Sequence, residues 1–106
     1  MLLAFTTVAE RSDADILAAK AIGHHLAVCV QIEGPITSMY PWQGKIERSD
    51  EFRVMFKLMP GQAAHLESLI MSLHPYETPE WIVLPVEAVG EKYLSWALAN
   101  SISSPL

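Results

Sequence analysis

The sequence predicts an α+β fold, a ferredoxin-like βαββαβ sandwich with an antiparallel sheet and an additional C-terminal helix. Alternation of apolar and polar residues over 51–58 is typical of a strand with two distinct faces. Apolar residues at helical spacing over 13–24 and 63–73 indicate two amphipathic helices. The length of 106 residues is that of one domain, which we assign to residues 1–106.

The first two elements follow from the apolar pattern near the N-terminus. Residues Leu2 to Val8 are predicted to form a short buried strand, because they are apolar on both faces until the threonines. Ser12 and Asp13 are candidate N-caps for the helix over about 13–24. Gly23 is expected to end or loosen that helix.

A long hairpin is predicted over roughly 27–59. Its first strand, at 27–32, is interrupted by Glu33-Gly34-Pro35 and continues over 36–40. Its second strand is the alternating run at 51–58. Residues with turn chemistry separate the two strands in Gln43-Gly44-Lys45 and Arg48-Ser49-Asp50.

The second half of the chain continues the pattern. Pro60-Gly61 stops the hairpin, and the helix over 63–73 ends before Pro75. Trp81 to Leu84 is predicted to be a final buried strand. A last helix follows Gly90, and a short Ser-rich tail follows it.

Composition indicates an oligomer. Hydrophobic residues make up 51% of the chain and charged residues 18%, against a usual charged share of about 25%. A small domain cannot easily hide this much apolar surface in its own core, so we expect burial between subunits. The sheet edges and the open sheet face with Arg53, Met55 and Lys57 are expected to make that contact. The three tryptophans should be largely buried in the assembly: Trp42, Trp81 and Trp96.

Several classes of partner are not expected. The net charge is −5 and no basic patch stands out, which argues against nucleic-acid binding. No apolar run reaches the ~18 residues of a membrane span, so we expect a cytoplasmic protein. Cys29 is the single cysteine, which excludes an intrachain disulfide, and its apolar neighbours predict a buried, inert thiol.

Two proline-containing segments carry most of the chemically active side chains. These are Tyr40-Pro41-Trp42-Gln43-Gly44-Lys45 and His74-Pro75-Tyr76-Glu77-Thr78-Pro79-Glu80. Proline fixes the backbone, so the segments form either a built site or rigid anchors between a helix and a strand. His74, Glu77 and Glu80 cannot form a helical metal site because two prolines interrupt them, and no tight structural metal site is expected. Known catalytic motifs are absent, so we do not expect an enzyme.

Along nearly its whole length the chain resembles the CutA divalent-ion-tolerance proteins. The resemblance is carried by the two segments above together with Thr7, Leu26-Ala27-Val28-Cys29-Val30, Ser38-Met39, Ile46, Glu51, Lys57, Pro85-Val86, Gly90 and Tyr93-Leu94-Ser95-Trp96. It implies a homotrimer similar in architecture to the PII signalling proteins. It also implies a role in tolerance to copper and other divalent cations, with no established reaction. No cofactor is required, although some members are described as binding Cu(II).

The departures from that family concern the proposed copper ligands. This chain has Thr6 where some bacterial relatives have cysteine, and Leu73-His74 where they pair two histidines. Of those ligands only His74 carries over, so we expect weak binding of Cu(II) or Zn(II). Gln43 also replaces an acidic residue, and Leu58 replaces a common threonine.

We expect the candidate site to be a cleft near a subunit boundary. It should gather Tyr40, Trp42, Lys45, Glu51, Lys57, His74, Tyr76 and Glu77, with the lysines compensating the carboxylates. The same groups could instead be a satisfied polar network that fixes the trimer. Two functions stay open at this point: weak divalent-metal binding through His74, and a regulatory trimer that binds an anionic small molecule or a protein partner through its lysines. An enzyme is the third and least favoured alternative.

Overall fold

The computed structural model describes residues 1–101. Its elements follow the predicted order: β1 (Leu2–Val8), α1 (Arg11–Gly23), β2 (Cys29–Trp42), β3 (Lys45–Leu58), a 3-10 turn (Pro60–Gln62), α2 (Ala63–Leu73), β4 (Ile82–Pro85) and α3 (Glu91–Asn100). The predicted Ser-rich tail beyond Ser101 lies outside the described residues. The strands form one antiparallel sheet in the order β2-β3-β1-β4. The ferredoxin-like α+β fold is therefore confirmed.

The predicted alternation on β3 separates a core face from an open face. Val54, Phe56 and Leu58 are fully buried, whereas Arg53 and Lys57 are only partly covered. The buried set packs with Ala4 and Val8 of β1 and with Leu17, Leu66 and Ile70 of the helices. Each large apolar side chain buried in this way stabilises the fold by about 1.5–3 kcal/mol.

The hairpin of β2 and β3 projects beyond the rest of the sheet. β1 pairs only with residues 52–58 of β3, so residues 45–51 pair with 36–42 of β2 alone. The Cα radius of gyration is 14.8 Å, above the ~13 Å expected for a compact chain of this length. The outer half of the hairpin thus has one uncovered edge on the β1 side.

A β-bulge lies where the sequence predicted an interruption. The pairing shifts between Glu33 and Ile36, and Gly34 has a φ of 148°. A Cβ at Gly34 would lie 2.8 Å from Phe52 Cδ1 and 2.9 Å from the Glu51 carbonyl oxygen. Only glycine fits this position without displacing its neighbours.

The second predicted turn is wrong. Arg48, Ser49 and Asp50 lie inside β3 and pair with Met39, Ser38 and Thr37. The hairpin reverses only at Gln43-Gly44, where φ is 50° and 78°. A two-residue hairpin turn requires positive φ at both central residues. The chain therefore reverses at Gln43-Gly44, and Arg48-Ser49-Asp50 stays in the strand.

Three further local predictions need correction. Glu10, not Ser12 or Asp13, is the N-cap of α1, and it makes no side-chain capping bond. Cys29 is half-buried, because it begins edge strand β2. β4 forms as predicted, but its residues are exposed rather than buried, and it is the other edge strand of the sheet.

Large apolar side chains are exposed in several regions of this single chain. They include Met39, Tyr40, Trp42 and Ile46 on the hairpin, Ile82, Val83 and Leu84 on β4, and Tyr93, Trp96 and Leu98 on α3. Trp42 is 50% and Trp96 46% exposed, so their burial between subunits stays a prediction. Trp81 is half-buried, with its ring 5.9 Å from that of Phe56. Within residues 1–101 no helix is long and apolar enough to cross a membrane.

Candidate functional site

The segment 74–80 connects α2 to β4 and begins with a sharp change of backbone direction. His74 has extended dihedrals, φ −68° and ψ 132°. This conformation is expected for a residue that precedes a proline, and Pro75 follows. The His74 N–H still donates to the Ile70 carbonyl at 2.9 Å, which closes the last turn of α2. The helix end therefore holds His74 in a fixed position beside β1.

Both ring nitrogens of His74 are engaged within the chain. The Tyr76 N–H donates to Nδ1 at 3.1 Å. Nε2 lies 2.9 Å from Thr6 Oγ1 and 3.1 Å from the Thr7 carbonyl oxygen. Because the Thr6 hydroxyl donates to the Glu80 carbonyl at 2.8 Å, its oxygen accepts the Nε2 proton. The network thus assigns His74 as the neutral tautomer with its proton on Nε2.

Partial burial supports this neutral form. Desolvation lowers the pKa of His74 below its ordinary value of 6.5. The Thr7 carbonyl and the carboxylates of Asp13 and Glu51 oppose this shift but do not cancel it. We call the group formed by Thr6, the Thr7 carbonyl and the segment 74–80, which begins with His74, the histidine latch.

A second contact ties the same segment to the hairpin. The Tyr76 hydroxyl donates to Glu51 Oε2 at 2.7 Å. Glu51 is only 7% exposed, so this is a hydrogen bond to a buried carboxylate, the stronger kind. Desolvation, this bond and the nearby carboxylate raise the pKa of Tyr76 well above its ordinary value. The Tyr76 ring also lies 5.0 Å from the His74 ring.

A cleft of about 710 Å³ lies between the outer hairpin, the end of β1 and the segment 74–80. We call it the hairpin cleft. It is lined by Thr7, Ser38, Met39, Tyr40, Trp42, Glu51, Pro75, Tyr76, Glu77, Thr78 and Glu80. Three of these are carboxylates, three are aromatic, and none is Lys, Arg or His. The cleft therefore presents negative charge, hydroxyl groups and aromatic rings.

The structure brings five of the eight expected residues to this cleft: Tyr40, Trp42, Glu51, Tyr76 and Glu77. His74 adjoins it through its contacts with Tyr76. Lys45 and Lys57 are not among its lining residues. Lys45 follows the hairpin turn, and Lys57 Nζ lies 5.4 Å from the centre of the Tyr93 ring. In this chain the Tyr76 hydroxyl, not a lysine, is the partner of Glu51.

Sequence reasoning missed the roles of Thr6 and Thr7. Thr6 is fully buried, and its hydroxyl joins His74 to the Glu80 carbonyl. Thr7 contributes a carbonyl to the latch and lines the hairpin cleft. The available signal was a polar residue at an inward position of a buried strand, since Thr6 lies between the buried Ala4 and Val8. Such a residue needs a hydrogen-bond partner.

The described residues of this single chain do not form a ready-made site for a transition metal. Within residues 1–101 no group of three or more His, Cys, Asp or Glu residues could hold an ion. At His74, Nδ1 already accepts a hydrogen bond from the Tyr76 N–H, and Nε2 carries its own proton. A metal needs an unprotonated ring nitrogen with a free lone pair. The other three histidines, His24, His25 and His65, are exposed.

Comparisons with known proteins agree with one another. The profile of the family described as CutA1 divalent ion tolerance protein matches residues 2–100. The divalent-cation tolerance protein CutA of Yersinia pestis (strain Pestoides F) is 37% identical over 99 residues, which cover 93% of this chain and 83% of that protein. CutA from Synechococcus elongatus PCC7942 has a TM-score of 0.91 and 38% identity, with 95% of this chain and 89% of that chain covered. The periplasmic divalent cation tolerance protein CutA from Archaeoglobus fulgidus has a TM-score of 0.91 and 28% identity, covering 96% and 100% of the two chains.

Proposed function

The chain belongs to the CutA1 divalent ion tolerance family, and from this premise we propose that it is a homotrimeric, non-enzymatic cation tolerance protein that itself binds metal weakly. The observation that supports a cationic ligand most directly is the lining of the hairpin cleft. Glu51, Glu77 and Glu80 face it without any basic side chain among the lining residues. Carboxylate oxygens attract cations and repel anions.

The alternative of an anionic ligand has less support. It required Lys45 and Lys57 to lie in the cleft, and neither lines it. The chain also carries a net charge of −5, which disfavours the approach of anions in general. A regulatory role through a protein partner would need a different surface from this one.

Weak binding follows from the ligands that remain. Imidazole and thiolate ligands give transition-metal sites most of their affinity. His74 could act as a ligand only if Nδ1 released the Tyr76 N–H or Nε2 lost its proton, and either change breaks part of the histidine latch. The exposed carboxylates of Glu77 and Glu80 remain available, but they favour hard cations with modest affinity.

The proposed trimer is supported by the exposed apolar residues of the hairpin, β4 and α3. Two uncovered sheet edges and an apolar surface of this extent are features of subunits that associate. Sedimentation equilibrium at low micromolar concentration should give about three times the chain mass of 11.8 kDa. A stable species of one chain mass would contradict the trimer. We propose the cytoplasm as its compartment, with neither nucleic acid nor membrane as a partner.

Calorimetric titration tests the metal-binding part of the proposal. We expect Cu(II) and Zn(II) to bind with dissociation constants above about 10 μM, or less than ~7 kcal/mol of binding free energy. Binding that involves His74 should weaken in His74→Ala and fade as pH falls, because the neutral ring is the ligand. His65→Ala, at an exposed position, is the matched control. Tight stoichiometric binding that survives His74→Ala would show that other ligands hold the metal.

A further inference from the structure

The open face of the sheet contains an ammonium group without a carboxylate partner. Lys57 is half-buried, and within residues 1–101 it forms no ion pair with an Asp or Glu side chain. Its cross-strand neighbours are Leu3 on β1 and Cys29 on β2, and its Nζ lies 5.4 Å from the centre of the Tyr93 ring. An ammonium group that is removed from water needs a negative partner. Lys57 will therefore need a carboxylate when another subunit covers the open face.

The other cations of the described sheet have carboxylates close by. Arg53 forms an ion pair with Glu33 at 2.6 Å. Lys45 and Arg48 each share a face of β3 with the carboxylate two residues further on, at a distance of about 7 Å along the strand. Among the cations on these strands, Lys57 is thus the one with no carboxylate beside it.

The hairpin cleft has the opposite imbalance of charge. Glu51, Glu77 and Glu80 line it, and none of its lining residues is Lys, Arg or His. Glu51 is 7% exposed, and its hydrogen-bond donor, the Tyr76 hydroxyl, is neutral. A cationic donor makes a stronger hydrogen bond to a carboxylate than a neutral one does. The cleft therefore offers the negative charge that Lys57 lacks.

The two groups cannot meet within one chain. Glu51 and Lys57 lie six residues apart on β3, which separates their Cα atoms by about 20 Å. They can meet between two copies, because the head-to-tail contacts of a closed ring join two unlike surfaces of the same chain. In the proposed trimer each subunit then gives one ammonium group to a neighbour and receives one from the other neighbour.

The aromatic walls of the cleft suit such an occupant. Tyr40 and Trp42 belong to the outer hairpin, whose exposed apolar residues support the proposed contact between subunits. The methylene groups of a lysine can pack against these rings while its ammonium group reaches a carboxylate. Trp42, which is 50% exposed in the single chain, is covered in this arrangement.

We propose that the hairpin cleft of one subunit receives the Lys57 side chain of the next subunit, whose ammonium group pairs with Glu51. The cleft is then part of the contact between subunits, and its charge selects which surfaces of two copies meet. Glu77 and Glu80 are exposed and stay available to metal ions. The inference deepens the proposed homotrimer and rests on it, but it does not depend on metal binding.

A double-mutant cycle tests this pair in the full-length assembled protein. Lys57→Met keeps an unbranched side chain without the charge, and Glu51→Gln keeps an acceptor for the Tyr76 hydroxyl. At one fixed chain concentration we expect each variant to lower the urea midpoint of the trimer by about 0.5 M or more. The double variant should shift by no more than the larger single shift, because both changes break the same pair. Additive shifts, or no shift in Lys57→Met, would overturn the proposal.

The matched control for the cycle is Lys20→Met. Lys20 is exposed on α1, on the helical side of the sheet and away from the proposed contact. Its replacement should leave the urea midpoint within about 0.2 M of the unchanged protein. A shift in Lys20→Met as large as that in Lys57→Met would show that loss of any positive charge has this effect, which also contradicts the assigned pair.

Cross-linking tests the contact even if Glu51→Gln fails to fold. A chain with Lys57→Cys, Glu77→Cys and Cys29→Ser has one thiol on the open face and one at the cleft. A short bis-maleimide should join two and three of these chains, as seen on a denaturing gel. The control chain has Lys20→Cys in place of Lys57→Cys and should stay single. Single chains from the first variant, or equal linkage in both, would refute the contact.

Sedimentation of the unchanged protein separates this inference from the proposed trimer. A trimer without coupling between Lys57 and Glu51 keeps the proposed assembly and refutes the pair alone. A species of one chain mass refutes both.

Discussion

Replacing Thr6 by valine removes one hydroxyl from the histidine latch and little else. Valine has nearly the same shape as threonine and the same β-branch, so the fully buried position in β1 stays filled. The hydroxyl currently donates to the Glu80 carbonyl at 2.8 Å and accepts from His74 Nε2 at 2.9 Å. Both partners belong to the segment that connects α2 to β4. The substitution therefore tests whether the latch stabilises the fold.

The expected cost follows from these two bonds. Each intramolecular hydrogen bond contributes about 0.5–1.5 kcal/mol net, and an unpaired buried partner costs more. His74 Nε2 keeps the Thr7 carbonyl as a second acceptor, 3.1 Å away, so its loss is partial. The Glu80 carbonyl loses the hydroxyl entirely. We expect Thr6→Val to lower the free energy of unfolding by roughly 1–3 kcal/mol.

Equilibrium unfolding in urea at one fixed chain concentration measures this cost. With an m-value of ~2 kcal/mol/M, a loss of ~2 kcal/mol moves the midpoint down by about 1 M. Thr37→Val is the matched control, because Thr37 is an exposed strand residue whose hydroxyl makes no hydrogen bond within the described chain. Its free energy of unfolding should change by less than ~0.5 kcal/mol. If Thr6→Val is as stable as Thr37→Val, the latch contributes nothing and the reasoning fails.

Three further predictions concern the same region and the bulge. NMR titration should give a pKa for His74 below 6.5. Because the unfolded chain then takes up a proton at a higher pH than the folded chain, the free energy of unfolding should fall as pH drops from about 6.5 to the lowered pKa. A measured pKa at or above 6.5 would contradict this. Tyr76→Phe leaves the carboxylate at the cleft floor without its hydroxyl partner and should cost about 1–3 kcal/mol in urea unfolding; a cost below ~0.5 kcal/mol would show that water replaces the bond. Gly34→Ala should destabilise the fold by about 2 kcal/mol or more, because the new Cβ would lie 2.8 Å from Phe52 Cδ1. Gly61→Ala is the control and should be neutral or slightly stabilising, since no atom lies within 4 Å of its Cβ position. Equal melting temperatures of the two variants would argue against the tight bulge.

The sequence was sufficient for the elements whose pattern has a single structural solution. Alternation over 51–58 specifies one buried face, and the burial of Val54, Phe56 and Leu58 follows from it. It was not sufficient where two local signals compete. Arg48-Ser49-Asp50 has turn chemistry, but cross-strand pairing continues through it until Gln43-Gly44 supplies the two positive φ values. An apolar run such as 82–84 likewise indicates a strand without saying whether the same chain covers it.

The sequence predicted most residues of the candidate site but not the hydrogen-bond partner of Glu51. Glu51 needs a partner, and a charge count alone suggests a lysine. Lys57 is on the same strand and the same face as Glu51, but alternate residues six positions apart are separated by about 20 Å in an extended strand. Tyr76 is distant in sequence, and the segment 74–80 brings its hydroxyl to the carboxylate. Long-range pairing of this kind depends on how the segment 74–80 folds back toward β3, and local sequence patterns do not predict that.

The histidine latch shows how one substitution can change the role of a neighbouring residue. The family resemblance implied a cysteine at the position of Thr6 in some bacterial relatives, and from this we expected only the loss of a soft ligand. In this chain the hydroxyl does something that a thiol does poorly, because it donates a strong hydrogen bond to the Glu80 carbonyl and accepts another from His74. His74 is thereby held neutral: its Nε2 proton points at β1, and its Nδ1 accepts a hydrogen bond from the Tyr76 N–H. The same histidine that could serve as a metal ligand beside a thiolate is, beside Thr6, a structural residue that positions Tyr76 against Glu51.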